Sequence, residues 1–194
     1  MRNLATYQNS YYEKIGSAVY CISEEIPFEI PESWEWCRLG NIFSHSTGKA
    51  LNAKNTEGQL LEYITTSNLY WNKFELSNIR KMYFSDNEID KCTAIKGDLL
   101  VCEGGDVGRA AIWESETDIR IQNHIHKLRA FFPLCTMYFY YIFYLYKALE
   151  LIGGKGIGIQ GLSSVKLHNI LIPLPPLQEQ KRIVEKLEKI REGL

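Results

Sequence analysis

Three prolines within four residues, Pro173, Pro175 and Pro176, divide this chain into two kinds of sequence. Proline fixes φ and lacks the N–H that a helix or sheet interior uses, so no regular element runs on through such a cluster. Downstream, Gln178 to Arg191 reads as a helix, with Glu179 in the first turn where the helix dipole favours a carboxylate. Its apolar residues Ile183, Leu187 and Ile190, with Leu194 beyond, follow spacings of 4, 3 and 4, a heptad seam. About two heptads do not make a coiled coil alone; the stretch reads as the stump of a longer helix.

Upstream, the apolar stretches are short and separated by glycine, proline and polar clusters. Residues 1–25 are polar and read as loosely attached. Pro27 and Pro31 bracket an extended segment, and Trp34, Trp36 and Arg38 alternate with Glu35, Cys37 and Leu39 as one strand. Ser44 to Gly58 reads as a surface loop. Leu61 to Thr66, Lys81 to Phe84, Leu99 to Cys102, Arg109 to Trp113 and Ile119 to Phe131 read as strands. Ser85 with Glu88 forms a capping box that opens a short helix through about Cys92. Thr136 to Leu151 predicts a buried helix, and a glycine-rich loop, Gly153 to Gly161, follows it.

Charge excludes a globally basic coat: 22 Lys and Arg stand against 23 Asp and Glu, a formal net charge of -1, so a polyanion would have to meet a local patch. The imbalance that exists is acidic at the start, two basic residues against six glutamates in residues 1–35. Five cysteines without a CxxC pair, behind a polar leader, predict a reduced, cytoplasmic setting. The apolar run Ala130 to Tyr146 is broken by Pro133 and is shorter than the roughly 20 residues a bilayer span needs, so no membrane role is expected.

Catalytic templates fail one after another. Gly156 to Gly161 matches GxGxxG, but a dinucleotide site needs a strand before that turn and a helix after it. His124 and His126 share a strand face on paper, yet no further ligands complete a metal set. Asp98 and Glu103 flank an apolar strand as in a metal-dependent nuclease, but Gly104 and Gly105 stand where a basic residue is needed. Pro175-Pro176 is followed by Leu177, not by the aromatic that adenine methyltransferases place after their Pro-Pro. What remains is a set of glycine-punctuated loops carrying Lys49, Asn52, Lys54 and Asn55, then Ser67, Asn68, Tyr70, Trp71 and Lys73, then Asp106 and Arg109, Gln122 to His126, and Lys155 with Gln160. Such side chains read base edges and hold phosphates, Arg and Lys pairing with guanine and Asn and Gln with adenine. By composition alone, the reading as ordinary solvated loops would win.

Four motifs in a fixed order add a resemblance. Glu25 to Trp36 followed by Arg38-Leu39 is similar to the opening of a target-recognition domain from a type I restriction-modification specificity subunit. Gly97-Asp98-Leu99-Leu100 with Gly104 to Ala110 resembles that family's central strand and turn, and Ile121 to Arg129 its next segment. Gly156 to Leu162 and then Ile172 to Gln180, running into Ile183-Val184, resembles the junction where the domain passes into a helix shared by the family. The likeness covers roughly residues 24–194.

The resemblance implies an α+β fold, a curved, mostly antiparallel sheet with short helices, followed by a C-terminal helix of coiled-coil type. It implies a lead-in over 1–24, a recognition domain over 25–176 and the start of a spacer and dimerisation helix over 177–194. It also implies a non-catalytic subunit that reads one half of a bipartite double-stranded DNA site and docks methylation subunits. S-adenosylmethionine, ATP and Mg belong to partner methylation and restriction subunits, and this chain needs no cofactor of its own. Family members carry two such domains in tandem, so this chain is either a fragment or a half-subunit that pairs with a second copy. The expected DNA-side residues are Lys49, Lys54, Lys73, Arg109, Asn123, His124, Lys155 and Gln160; the expected partner seam is Ile183, Leu187, Ile190 and Leu194. A stand-alone Mg-dependent nuclease, a nucleotide binder at 156–161, or a scaffold without DNA preference are the alternatives.

Overall fold

A computed structural model describes residues 2–7, 10–52, 54–152 and 161–193. In chain order the elements are β1 (Arg2–Tyr7), β2 (Ser10–Ile15), β3 (Ala18–Cys21), β4 (Glu35–Arg38), β5 (Phe43–Thr47), β6 (Gln59–Ile64), β7 (Leu69–Tyr70), β8 (Lys73–Phe74) and β9 (Arg80–Phe84). There follow α1 (Asp86–Cys92), β10 (Thr93–Ala94), β11 (Leu99–Cys102), β12 (Ala110–Ile112), β13 (Ile119–Ile121), β14 (Ile125–Ala130), α2 (Thr136–Ala148), α3 (Ser164–Asn169), β15 (Leu171–Leu174) and α4 (Leu177–Glu192). The chain forms two compact units: Met1–Ile42 with Val165–Leu194, and Phe43–Ser164.

In the first unit β1, β2 and β3 form an antiparallel meander, and β4 pairs with β15 so that Cys37 lies opposite Ile172. The segment read from sequence as a loosely attached leader is therefore largely strand. Its anchor is a charge rather than a greasy residue. Glu13 on β2 is buried and accepts from Arg38 Nη2 at 2.9 Å and Nε at 3.3 Å, while Arg38 Nη1 donates to Glu25 at 2.8 Å and to the Asn169 carbonyl at 2.7 Å. Around this pair Ile22, Trp36 and Leu171 bury themselves, with Phe28 packed 5.2 Å from the Trp36 ring. The Ser163 to Ile172 stretch contributes the short helix α3, and β15 then runs through Pro173, because Pro173 needs no N–H partner at its place opposite Trp36 on a two-stranded pair. Helix α4 begins at the proline cluster as predicted, and the buried Gln180 side chain donates to the Pro175 carbonyl at 3.0 Å.

The second unit contains two four-stranded sheets, ordered β12-β11-β14-β5 and β10-β13-β6-β9, and the small β7-β8 hairpin. Pairings are antiparallel except β13 with β6. All four residues of β11 are buried, as a strand covered on both faces requires. Leu100 and Cys102 share a cluster with Ile64, Ala94, Ile119 and Ile121 of the other sheet, and the alternation of the strand sends Leu99 and Val101 the opposite way. Helix α2 is buried through Tyr138, Phe139, Tyr140, Ile142, Phe143 and Tyr146, and Phe139 meets Phe43 of β5 edge to face at 5.0 Å.

Two expectations give way here. The predicted loop from Ser44 begins as strand β5, because its polar groups find partners: Ser44 Oγ donates to the Arg129 carbonyl, and Ser46 Oγ to the Lys91 carbonyl. The predicted single strand Ile119 to Phe131 is two strands, β13 and β14, that join different sheets, with residues 122–124 turning between them. The Ser85–Glu88 capping box opens α1 as read.

Two substitutions test these anchors. Arg38→Met leaves the Glu13 carboxylate buried without its guanidinium and is expected to cost about 3–5 kcal/mol in urea unfolding, part of which Glu13→Leu in the same chain should restore. At Gly48 an added Cβ would lie 1.8 Å from the Ile121 carbonyl oxygen, a backbone atom that cannot step aside. Gly48→Ala is therefore expected to lower stability by about 2–4 kcal/mol, read as a drop in melting temperature.

Candidate nucleic-acid interface

The C-terminal ends of β5, β6, β11 and β13 converge on one edge of the second unit. Gly48 lets the chain leaving β5 lie directly on the chain leaving β13: Lys49 N–H donates to the Ile121 carbonyl at 3.1 Å, and Asn123 N–H to the Lys49 carbonyl at 3.0 Å. Gln122 N–H donates to the Ile64 carbonyl at the end of β6, at 2.9 Å. Glu103 N–H, at the end of β11, donates to the His124 carbonyl at 2.9 Å, and Leu162 N–H donates to the Glu103 carbonyl at the same distance. Five stretches of chain, 48–49, 64–66, 102–109, 121–124 and 161–162, are thus tied into a single surface by main-chain bonds.

The side chains on this edge divide into engaged and unengaged groups. Lys49, with 11% of its side chain exposed, places Nζ 2.6 Å from Glu88 Oε2. Glu88 also accepts from the Ser85 hydroxyl and N–H, and these contacts, the Lys49 ammonium first, hold its carboxyl down to about 2. A carboxyl lowered in this way stabilises the fold above its ordinary value of 4.5, and that contribution disappears only as the pH falls through about 2. Arg109 donates through Nη2 to the Thr66 carbonyl at 2.7 Å, lies over the Tyr70 ring at 5.2 Å and has Asp106 3.7 Å from Nη1. Asp106 is paired in turn with Lys147 of α2 at 3.0 Å, whose Nζ also donates to the Val107 carbonyl, so the glycine-rich 103–108 connection is clamped on both sides. His124 is 56% exposed with Nδ1 3.7 Å from Glu103. The amides of Gln122 and Asn123 are half-buried and make no side-chain hydrogen bond among the described residues.

Of the eight expected DNA-side residues, the fold brings Lys49, Arg109, Asn123 and His124 together on this edge. Lys54 is exposed in the 50–58 loop, where its N–H donates to Asn52 Oδ1, and Lys73 is exposed on the β7-β8 hairpin beside the Tyr70 strand. Lys155 and Gln160, and with them the 156–160 part of the GxGxxG turn, lie outside the described residues. A polar recess of about 470 Å³ adjoins the edge, lined by Lys49, Asn52, Asn55, Ser85 and Glu88. Sequence reasoning missed Glu88 as the partner of Lys49 and Tyr70 as the support of Arg109. Its signal for Glu88, the spacing from Ser85, pointed to a helix cap alone.

The histidine pair does not share a face as expected. His126 is fully buried, its Nε2 2.5 Å from the Leu162 carbonyl and its Nδ1 2.8 Å from His45 Nε2, whereas His124 is turned out to solvent. Because a carbonyl only accepts, Nε2 carries the proton and Nδ1 accepts from His45. Among the described residues no group of three or more His, Cys, Asp or Glu is placed to hold a metal ion. Asp98 is buried and receives Arg129 in a two-bond fork at 2.8 and 2.7 Å together with the Ile95 N–H, and β11 separates it from Glu103 by about 16 Å of extended chain. Burial pushes the Cys102 thiol up to about 11, which leaves it protonated and unreactive.

On α4, Ile183 is half-buried, Leu187 is 36% and Ile190 56% exposed, and Leu194 lies outside the described residues. Glu179 and Arg182 pair one turn apart on the same helix. Among the described residues no helix is long and apolar enough to cross a membrane.

Comparison with known proteins agrees with this architecture. The chain is 25% identical over 182 residues to the type I restriction enzyme EcoAI specificity subunit of Escherichia coli, an alignment covering 86% of this chain and 30% of that protein. It is 30% identical over 175 residues to the putative type I restriction enzyme MjaX specificity subunit of Methanocaldococcus jannaschii, covering 84% of this chain and 37% of the relative. The crystal structure of the HsdS subunit from Thermoanaerobacter tengcongensis superposes with a TM-score of 0.66 at 24% identity, over 86% of this chain and 39% of that one. A chain from a structure of type I restriction-modification complex assembly gives 0.64 at 25% identity, over 86% and 40%. The chain spans between 30% and 40% of the length of these proteins. The family model for the type I restriction modification DNA specificity domain matches residues 31–194, and the chain belongs to that family.

Proposed function

We propose that this chain reads one half of a bipartite double-stranded DNA site and catalyses nothing itself, with α4 docking the methylation subunits that modify adenine at N6. Those partners, and a restriction subunit beside them, would carry S-adenosylmethionine, ATP and Mg. The observation that supports this most is the edge where β5, β6, β11 and β13 end: main-chain bonds fix its shape while polar side chains stay available on it. A surface of that kind presents base-reading groups without ordering itself on binding, which lowers the entropy cost of recognition. A near-neutral chain suffices if partner subunits supply further phosphate contacts. The apolar residues Leu187 and Ile190, left exposed on α4, support a seam for a partner helix or for a second copy of the chain.

The reading is tested with the chain assembled with its methylation subunits. Lys54→Ala and Lys73→Ala should each weaken binding by a similar factor on every duplex and lower the salt slope by about 1, as phosphate contacts do. Lys49→Met should instead lower the melting temperature, because it unpairs Glu88. No DNA preference in the assembled complex, or cleavage of DNA by the purified chain with Mg²⁺ alone, would sink the proposal. Leu187→Lys with Ile190→Lys should abolish docking of the methylation subunits with the circular dichroism spectrum unchanged; docking that survives removes α4 from the assembly.

A further inference from the structure

Resting on the duplex-DNA reading above, we infer that Gln122 and Asn123 are the base-reading pair of this edge and that the base they read is adenine. Three observations carry the assignment. The main chain of the pair is held from three directions, by Lys49, by Ile64 at the end of β6 and by Ile125, whose N–H donates to the Gln122 carbonyl at 3.0 Å. Their amides, one acceptor and two donors each, make no hydrogen bond among the described residues although both residues are half-buried. Among the described residues, four cations of the same unit are engaged elsewhere: Lys49 on Glu88, Lys147 on Asp106 and the Val107 carbonyl, Lys127 on the carbonyls of Asp90, Lys91 and Thr93, and Arg109 on the Thr66 carbonyl and the Tyr70 ring.

The chemistry then selects the base. Reading guanine in the major groove takes a free Arg or Lys offered to O6 and N7, and the Arg109 fork already gives one Nη to protein. Reading adenine takes an amide that accepts from N6 and donates to N7, which Gln and Asn supply together. A fixed backbone matters here because a two-bond contact tolerates little displacement. Gly48 contributes by pressing the Lys49 chain against residues 121 and 122, a place no side chain could share.

The experiment uses the chain assembled with its methylation subunits, and begins by selecting the preferred duplex from random sequence. A complex that selects nothing overturns the duplex reading itself. With the preferred half-site known, each adenine is replaced in turn by 7-deazaadenine, which lacks N7 and still pairs with thymine. The wild-type chain should bind about tenfold more weakly at one or two of these positions. The Gln122→Ala, Asn123→Ala double variant should lose nothing further there and should accept other bases at the same positions. Undiminished affinity at every 7-deazaadenine, or an unchanged selected sequence in a double variant that melts like the wild type, overturns the inference while leaving the duplex reading standing. The deaza scan on the wild-type chain decides the assignment even if the double variant fails to fold.

Discussion

The main-chain contact between Lys49 and residues 121–123 is the constraint on which the edge depends. It is a parallel bridge one residue long, and it exists because Gly48 has no Cβ. Through it the sheet holding β5 and the sheet holding β13 are locked at one corner, and Gln122 passes the link on to β6. The loops after β11 and around Leu162 then attach through Glu103. Remove the bridge and the 48–49 stretch loses its link to the other four, which stay tied through Gln122, Glu103 and Leu162, although each sheet keeps its own core.

Local chemistry was legible in the sequence where a signal is completed within a few residues. The Ser85–Glu88 capping box, the aromatic helix after Pro133 and the charged helix after the proline cluster stand where they were read, whereas β15 runs through Pro173 to Leu174 instead of stopping before it. Family resemblance added the α+β class. What stayed hidden depended on partners far along the chain. Glu13 looked like one more acid in a polar leader because Arg38 lies 25 residues away. Lys49 looked like a free loop cation because Glu88 lies 39 residues away. Strand β5 read as loop because Ser44, His45 and Ser46 are polar, and only the fold supplies their acceptors.

The same distinction governs the candidate site. Residue type places Lys, Arg, Asn and Gln on equal terms as DNA readers, but tertiary pairing separates them. Lys49 and Arg109 hold the surface together, while Gln122 and Asn123 have their backbones fixed and their amides uncommitted. A net charge of -1 is compatible with such a division, since Arg38, Lys49, Arg129 and Lys147 are each paired with a carboxylate and not displayed as a coat.

The first unit is assembled from both ends of the chain, and the strands that bracket the second unit, β4 and β15, are hydrogen-bonded neighbours. Residues 43–164 are consequently an insertion between two strands that pair with each other, Arg38 lying opposite Leu171. The candidate edge and the exposed apolar residues of α4 are thus built from separate stretches of sequence, so a change in the loops after β5, β6, β11 and β13 leaves the residues of β4, β15 and α4 as they are.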